Sequence, residues 1–208
     1  MAEALRAAYE QALPRHTADE FEPNATGSTA AYHNVWRTVP SLTPLPPAAL
    51  DALDAWLLPI VEAWAGDEVA PLVRSAIWGV RTYSEGATLA PHVDRLEHAV
   101  SAIVQVRQDL EEDWPLMIHD HDGEAHEVVL REGEMLLYES ARLVHGRPTP
   151  LRGRGYSAIF AHYRQADDSR WEGWSQQASR RVSQLSAAPD FEAALATPPP
   201  LDLGLGAG

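Results

Sequence analysis

The chain has 208 residues, with 16 Lys and Arg against 30 Asp and Glu, and it contains no cysteine. A formal net charge of -14 repels phosphate and so argues against nucleic acid or an anionic membrane as partner. The missing thiols exclude disulfides, thiolate metal sites and cysteine nucleophiles.

The length predicts a single domain with a sizeable core. We expect it to span 1–164, with its centre at about 75–164, followed by a C-terminal extension over 165–208. Residues 1–13, "MAEALRAAYEQAL", read as an amphipathic helix without the apolar centre of a signal peptide. No apolar run approaches the roughly 20 residues of a membrane span. The expectation is a cytoplasmic protein. Residues 14–46 are rich in Pro, Thr, Ser and Asn and read as irregular loop. Residues 46–66 form the strongest helical pattern: proline opens it, Leu50, Leu53, Leu57, Leu58 and Val61 recur at helical spacing, and Gly66 follows its end.

From residue 75 the period changes to that of strands. "SAIWGVRTYS" (75–84), "PHVD" (91–94), "AVSAIVQVRQ" (99–108), "WPLMIHD", "HEVVLRE", "GEMLLYES" (133–140), "LVHGRP" and "GYSAIFAHYR" (155–164) follow in turn. Asp122-Gly123 marks a hairpin tip between the fourth and fifth of these. Short strands at such spacing predict a mainly β fold, a sandwich or barrel, with flanking α-helices. The extension carries "DDSRWEGWSQQASRRVSQL", with a short helix expected, and ends in a Pro/Gly/Ala-rich stretch expected to be disordered. The "WEGW" within it suits hydrophobic docking.

Chemistry enters with "LAPHVDRLEHAV" (89–100). On a strand, His92 and Asp94 leave the same face. They either hydrogen-bond to each other at a strand end or hold a metal. His145 offers a third ligand from a late apolar segment. Two imidazoles and one carboxylate make the facial triad that suits a non-haem Fe(II) centre with open coordination positions. If 2-oxoglutarate fills two of those positions and O2 the third, its far carboxylate needs a buried cation. Arginine suits this by its planar fork and permanent charge. Arg154 opens a strand whose alternate residues are Tyr156, Ala158, Phe160 and His162 and is the first choice. Arg147 shares the face of His145 and is the second, and Arg152 the third.

Taken together, Tyr83, Gly86, His92-Val93-Asp94, "AVSAIVQV", "LREGEMLLYES", His145 and "GRG" occur in an order and spacing that resemble the Fe(II)/2-oxoglutarate dioxygenases of the prolyl 4-hydroxylase-like group. The resemblance covers 81–164. It implies a double-stranded β-helix (jelly roll) with iron held by His92, Asp94 and His145 at one mouth. It also implies that Tyr83 contacts 2-oxoglutarate, and that the enzyme hydroxylates an amino acid, peptide or small natural product. The group carries its basic residue about ten positions after the distal histidine. Here position 155 is Gly, and Arg154 precedes it.

The rival is a cupin-like binding protein, non-enzymatic or differently metallated, using His119, His121 or His126 of "IHDHDGEAH". Those residues surround a hairpin tip, where Asp, Gly and their neighbours are ordinary turn formers. His98 and His162 read as packed strand histidines.

Overall fold

The computed structural model describes residues 2–15, 17–18, 40–67, 69–167, 169 and 172. Two helices precede the main run of strands: α1 (Ala2–Ala12), followed by a short turn at Leu13–Arg15, and α2 (Pro47–Ala65). Between them lie two short strands, β1 (Thr17–Ala18) and β2 (Ser41–Thr43), in the stretch expected to be all loop. They pair with each other and are too short to show a period in the sequence. Eight strands follow: β3 (Leu72–Tyr83), β4 (Leu89–His92), β5 (Val100–Leu110), β6 (Leu116–His119), β7 (Ala125–Val128), β8 (Met135–Tyr138), β9 (His145–Arg147) and β10 (Gly153–Gln165). The expected helix after residue 165 and the "WEGW" stretch lie outside the described residues, apart from 169 and 172.

The strands form two antiparallel sheets. The larger runs β1-β2-β3-β10-β5-β8 and the smaller β4-β9-β6-β7. Alternation along β10 and β5 gives the larger sheet two apolar faces. Ile159, Ala161 and Tyr163, with Val100, Ala102 and Val104, meet Leu5 and Tyr9 of α1 and Leu53, Leu57 and Val61 of α2. The i, i+4, i+8 spacing of those last three places them on one stripe of α2. Tyr156, Ala158 and Ile103 face the other way, toward Leu116 and Ile118 of the smaller sheet. The interior of the roll therefore lies between the sheets, and the helices close its back.

A bulge shapes the smaller sheet. Leu89 pairs with Arg147 and His92 with His145, so three steps along β4 match two along β9. An odd step would ordinarily send the side chains of Leu89 and His92 to opposite faces. The extra residue restores the face. Gly146 lies opposite: a Cβ there would meet the Cα and N of Pro91 at 2.8 Å each.

Candidate metal centre

His92 ends β4, Asp94 lies two residues beyond it, and His145 opens the neighbouring β9. The Nε2 atoms of His92 and His145 stand 3.5 and 3.9 Å from Asp94 Oδ1. One ligand atom from each of the three lies within 4.8 Å of the other two. All are largely buried, with side-chain exposures of 6, 15 and 4% for His92, Asp94 and His145.

Backbone carbonyls aim both rings. His92 Nδ1 donates to Ala90 O at 2.8 Å, and His145 Nδ1 to Leu143 O at 2.9 Å. A carbonyl only accepts, so Nδ1 carries the proton and Nε2 presents a lone pair. The carbonyl that orients His92 belongs to the bulge. Burial pushes the Asp94 carboxyl up, but His92 beside it, with His145 and His162, outweighs this and holds it well below the usual carboxylate range. Burial, then the neighbouring His92, pushes His145 down to about 4, so its ring is neutral at pH 7. Two imidazole lone pairs and an ionised carboxylate converge on one point, and such a donor set fits a divalent cation of the Fe(II) kind.

The Asp94 side chain is supported from behind. Its second oxygen lies 3.7 Å from His162 Nδ1, which shares a 2.6 Å hydrogen bond with Ser101 Oγ. Ser101 Oγ meets Ser140 Oγ at 2.5 Å, and Ser140 O accepts from the Asp94 N–H at 2.8 Å. His162 stacks on His98 with ring centres 4.2 Å apart, and Trp78 meets both rings edge-on. Tyr138 OH lies 3.4 Å from His145 Nε2.

The three candidate arginines separate. Arg147, two residues beyond His145, is 3% exposed. Its guanidinium lies 4.4 Å from the Trp114 ring centre and 4.3 Å from that of Tyr156. It donates to Tyr156 OH at 2.7 Å and to the Trp114 carbonyl. Tyr83 pairs with Tyr156 in register and packs against Trp114, so it joins this group. Arg154, expected to face inward, does the opposite. Its side chain is 85% exposed and paired with Asp109. The register between β10 and β5 shifts between Gly153 and Gly155, which turns Arg154 out of the alternation that Tyr156 begins. Arg152 is also exposed, near Glu112.

The histidines of the β6–β7 hairpin do not converge. His119 Nδ1 donates to Gly123 O, His121 Nε2 meets Glu139, and His126 Nε2 meets Asp120 at 2.6 Å. Asp120, Glu124 and His126 form a second, more exposed group. His119 ends β6, the strand that flanks the hairpin tip, and is buried.

Sequence reasoning missed Trp114, Tyr138 and Arg81. Trp114 carries no periodic signal. Arg81 was readable, because it lies two residues before Tyr83 on one strand and so shares its face. It pairs with Ala158 in register, and its guanidinium lies 5.3 Å from the Phe160 ring centre.

No family model and no curated protein sequence matches the chain. Solved structures do resemble it. A Pseudomonas putida prolyl-4-hydroxylase superposes with a TM-score of 0.53 at 17% identity, covering 80% of this chain and 89% of the other. A prolyl hydroxylase from Trichoplax adhaerens, in complex with a hypoxia inducible factor peptide fragment, gives 0.54 at 12%, covering 81% of each. The viral collagen prolyl hydroxylase of Paramecium Bursaria Chlorella virus-1 gives 0.52 at 10%, covering 80 and 92%. The chain has the double-stranded β-helix fold of the prolyl 4-hydroxylase-like oxygenases. Among the described residues no helix is long and apolar enough to cross a membrane.

Proposed function

We propose that this chain is an Fe(II)- and 2-oxoglutarate-dependent oxygenase that hydroxylates an unactivated C–H bond of an amino acid, peptide or small natural product. The observation that carries the reading is the convergence of His92 Nε2, His145 Nε2 and the Asp94 carboxylate on one buried point. Bound there, iron with 2-oxoglutarate and O2 supplies the oxidising chemistry, and 2-oxoglutarate leaves as succinate and CO2.

The chain's own residues position and shield. His92, Asp94 and His145 would hold the ion. Arg147 is the cation for the far carboxylate of 2-oxoglutarate, in the role first expected of Arg154. It is buried, lies on the same strand and face as His145, and its guanidinium is within 4.4 Å of the ring centres of both Trp114 and Tyr156. Two of its five N–H donors are engaged by the Trp114 carbonyl and Tyr156 OH. An ionised carboxylate accepts a planar fork bidentately, and the aromatic walls keep water from competing. Tyr83 closes the same pocket.

The test is anaerobic addition of Fe(II) and 2-oxoglutarate to the purified protein, followed by O2. A weak visible absorption band on addition, then succinate release, is the expected result. A folded protein that binds Fe(II) but gives neither band nor succinate overturns the reading.

A further inference from the structure

Asp94 turns its two carboxylate oxygens to different partners. Oδ1 faces the Nε2 atoms of His92 and His145 at 3.5 and 3.9 Å, and Oδ2 faces His162 Nδ1 at 3.7 Å. What His162 offers that oxygen depends on which ring nitrogen carries its proton. An N–H attracts a carboxylate, whereas a lone pair repels it.

Three hydrogen bonds decide the matter. Ser140 Oγ donates to the His98 carbonyl at 2.6 Å. A hydroxyl has one proton, so Ser140 can only accept in its 2.5 Å contact with Ser101 Oγ. Ser101 therefore donates there and can only accept from His162 Nδ1, at 2.6 Å. The His162 proton thus lies on Nδ1, the nitrogen that faces Asp94. Its place is set at the far end of the chain of bonds, by a backbone carbonyl that has no proton to give.

Strand register puts these groups within reach. Ser101 of β5 stands opposite His162 on β10 and Tyr138 on β8, and Ser140 follows Tyr138 by two residues. Ser101 and Ser140 are 0% exposed and His162 5%. A buried hydroxyl without a partner is costly, and each of these has two. Ser140 also reaches the carboxylate's own backbone. Its carbonyl accepts the Asp94 N–H at 2.8 Å while its hydroxyl holds the His98 carbonyl, so it grips both ends of segment 94–98. The His98 N–H closes the turn within that segment on Arg95 O, at 2.8 Å.

We infer that Ser101 and Ser140 are positioning residues of the metal centre: they fix His162 with its proton on Nδ1 and, through that ring and segment 94–98, aim the Asp94 carboxylate at the two imidazoles. Their role rests on the reading of His92, Asp94 and His145 as metal ligands. Neither serine is itself a ligand.

A purely structural role would change stability alone, and Ser157 supplies the comparison. It is a buried hydroxyl on β10, bonded to Tyr9 OH at 3.1 Å and Thr82 Oγ1 at 2.9 Å, with no link to Asp94. Zn(II) calorimetry at pH 7 on chelator-treated protein, with denaturant melts, compares Ser101→Ala, Ser140→Ala and Ser157→Ala. All three should lose stability. Ser101→Ala and Ser140→Ala should also weaken Zn(II) binding about tenfold or more, the usual effect of removing a group behind a metal ligand. Ser157→Ala should leave it unchanged, and Ser140→Thr, which keeps the hydroxyl, should recover part of the affinity. Nitrogen NMR of the metal-free wild type, with His162 assigned from His162→Gln, should show the proton on Nδ1, and Ser140→Ala should shift it toward Nε2. A wild-type His162 with no proton on Nδ1 overturns the inference. So do Ser101→Ala and Ser140→Ala proteins that bind Zn(II) like the wild type, whatever their stability. If neither folds, the wild-type tautomer decides. Failure of the metal-site reading is separate: it shows as a His145→Ala protein that binds Zn(II) as tightly as the wild type.

Discussion

His92 and His145 face each other at directly opposed positions of the antiparallel β4–β9 pair, with ring centres 4.5 Å apart. Neither ring needs the other for packing alone, since each Nδ1 is tied to its own local carbonyl. Their Nε2 atoms turn toward Asp94 instead, with Tyr138 OH 3.4 Å from that of His145.

Loss of any one of the three should therefore remove the metal rather than the fold. His145→Ala and Asp94→Ala should each weaken Fe(II) or Zn(II) binding by about 100-fold or more, beyond what loss of an outer-shell partner costs. His121→Asn and His126→Asn should leave it within a few-fold, because those side chains pair with Glu139 and Asp120 on the hairpin. Calorimetric titration reads both. Retained affinity in His145→Ala would move the metal elsewhere.

Arg147→Leu should raise the dissociation constant for 2-oxoglutarate about thirty-fold or more, since breaking a buried charge pair costs about 2–5 kcal/mol. Metal affinity should hold, because no ligand is changed. Arg154→Leu and Arg152→Leu should bind 2-oxoglutarate like the wild type, both arginines being exposed partners of surface carboxylates. Titration of the visible band measures all three. A normal Arg147→Leu titration would transfer the role to another cation.

The His92–Asp94–His145 grouping was legible from the two-residue spacing of His92 and Asp94 and from a later apolar histidine, although the strand ends at His92 and Asp94 lies just beyond it. The helix over 46–66 was legible for the same kind of reason: Leu53, Leu57 and Val61 obey one period. Bulges were not legible. Parity counted from Tyr156 puts Arg154 indoors, and the shift between Gly153 and Gly155 turns it out. The glycines on both sides were the only local hint, with Gly153 adopting φ +135. Trp114 could not be placed, because it joins the Arg147 group through the fold and not through any spacing.

The buried histidines make the metal-free protein acid-sensitive. His145 is pushed down to about 4 and His162 to about 3, in both cases by burial first. Unfolded, both titrate near 6.5. As pH falls below that value the unfolded chain takes up protons that the folded chain refuses, so stability is full above about 6.5 and declines toward 4. Each such ring adds up to about 1.4 kcal/mol per pH unit to the slope. In chelator, Tm should fall steadily from pH 7 to pH 5, and His162→Asn should flatten the decline. A Tm constant over that range would show that the rings charge freely in the folded state.

Gly146 offers the most local test of how the centre is built. It lies between His145 and Arg147, the proposed metal ligand and the proposed co-substrate anchor, on the strand that faces the β4 bulge. Its φ is not positive, so alanine is not refused by backbone conformation. It is refused by space: an added Cβ would sit 2.8 Å from Pro91 Cα and N and 2.9 Å from Leu89 O, all backbone. To make room, β4 must retreat from β9, and the carbonyl of Ala90 that aims His92 must retreat with it. Gly146→Ala should lower stability by about 1–3 kcal/mol, the usual range for overpacking. It should also weaken metal binding, although no ligand is altered. Gly155→Ala is the matched control. There a Cβ would meet only Tyr83 O at 3.4 Å and Thr82 Cγ2 at 3.7 Å. Its effect on stability should stay within about 0.5 kcal/mol, with metal affinity unchanged. Denaturant melts and calorimetry on the two variants decide the matter. A Gly146→Ala protein that keeps wild-type metal affinity would mean that the bulge does not aim His92.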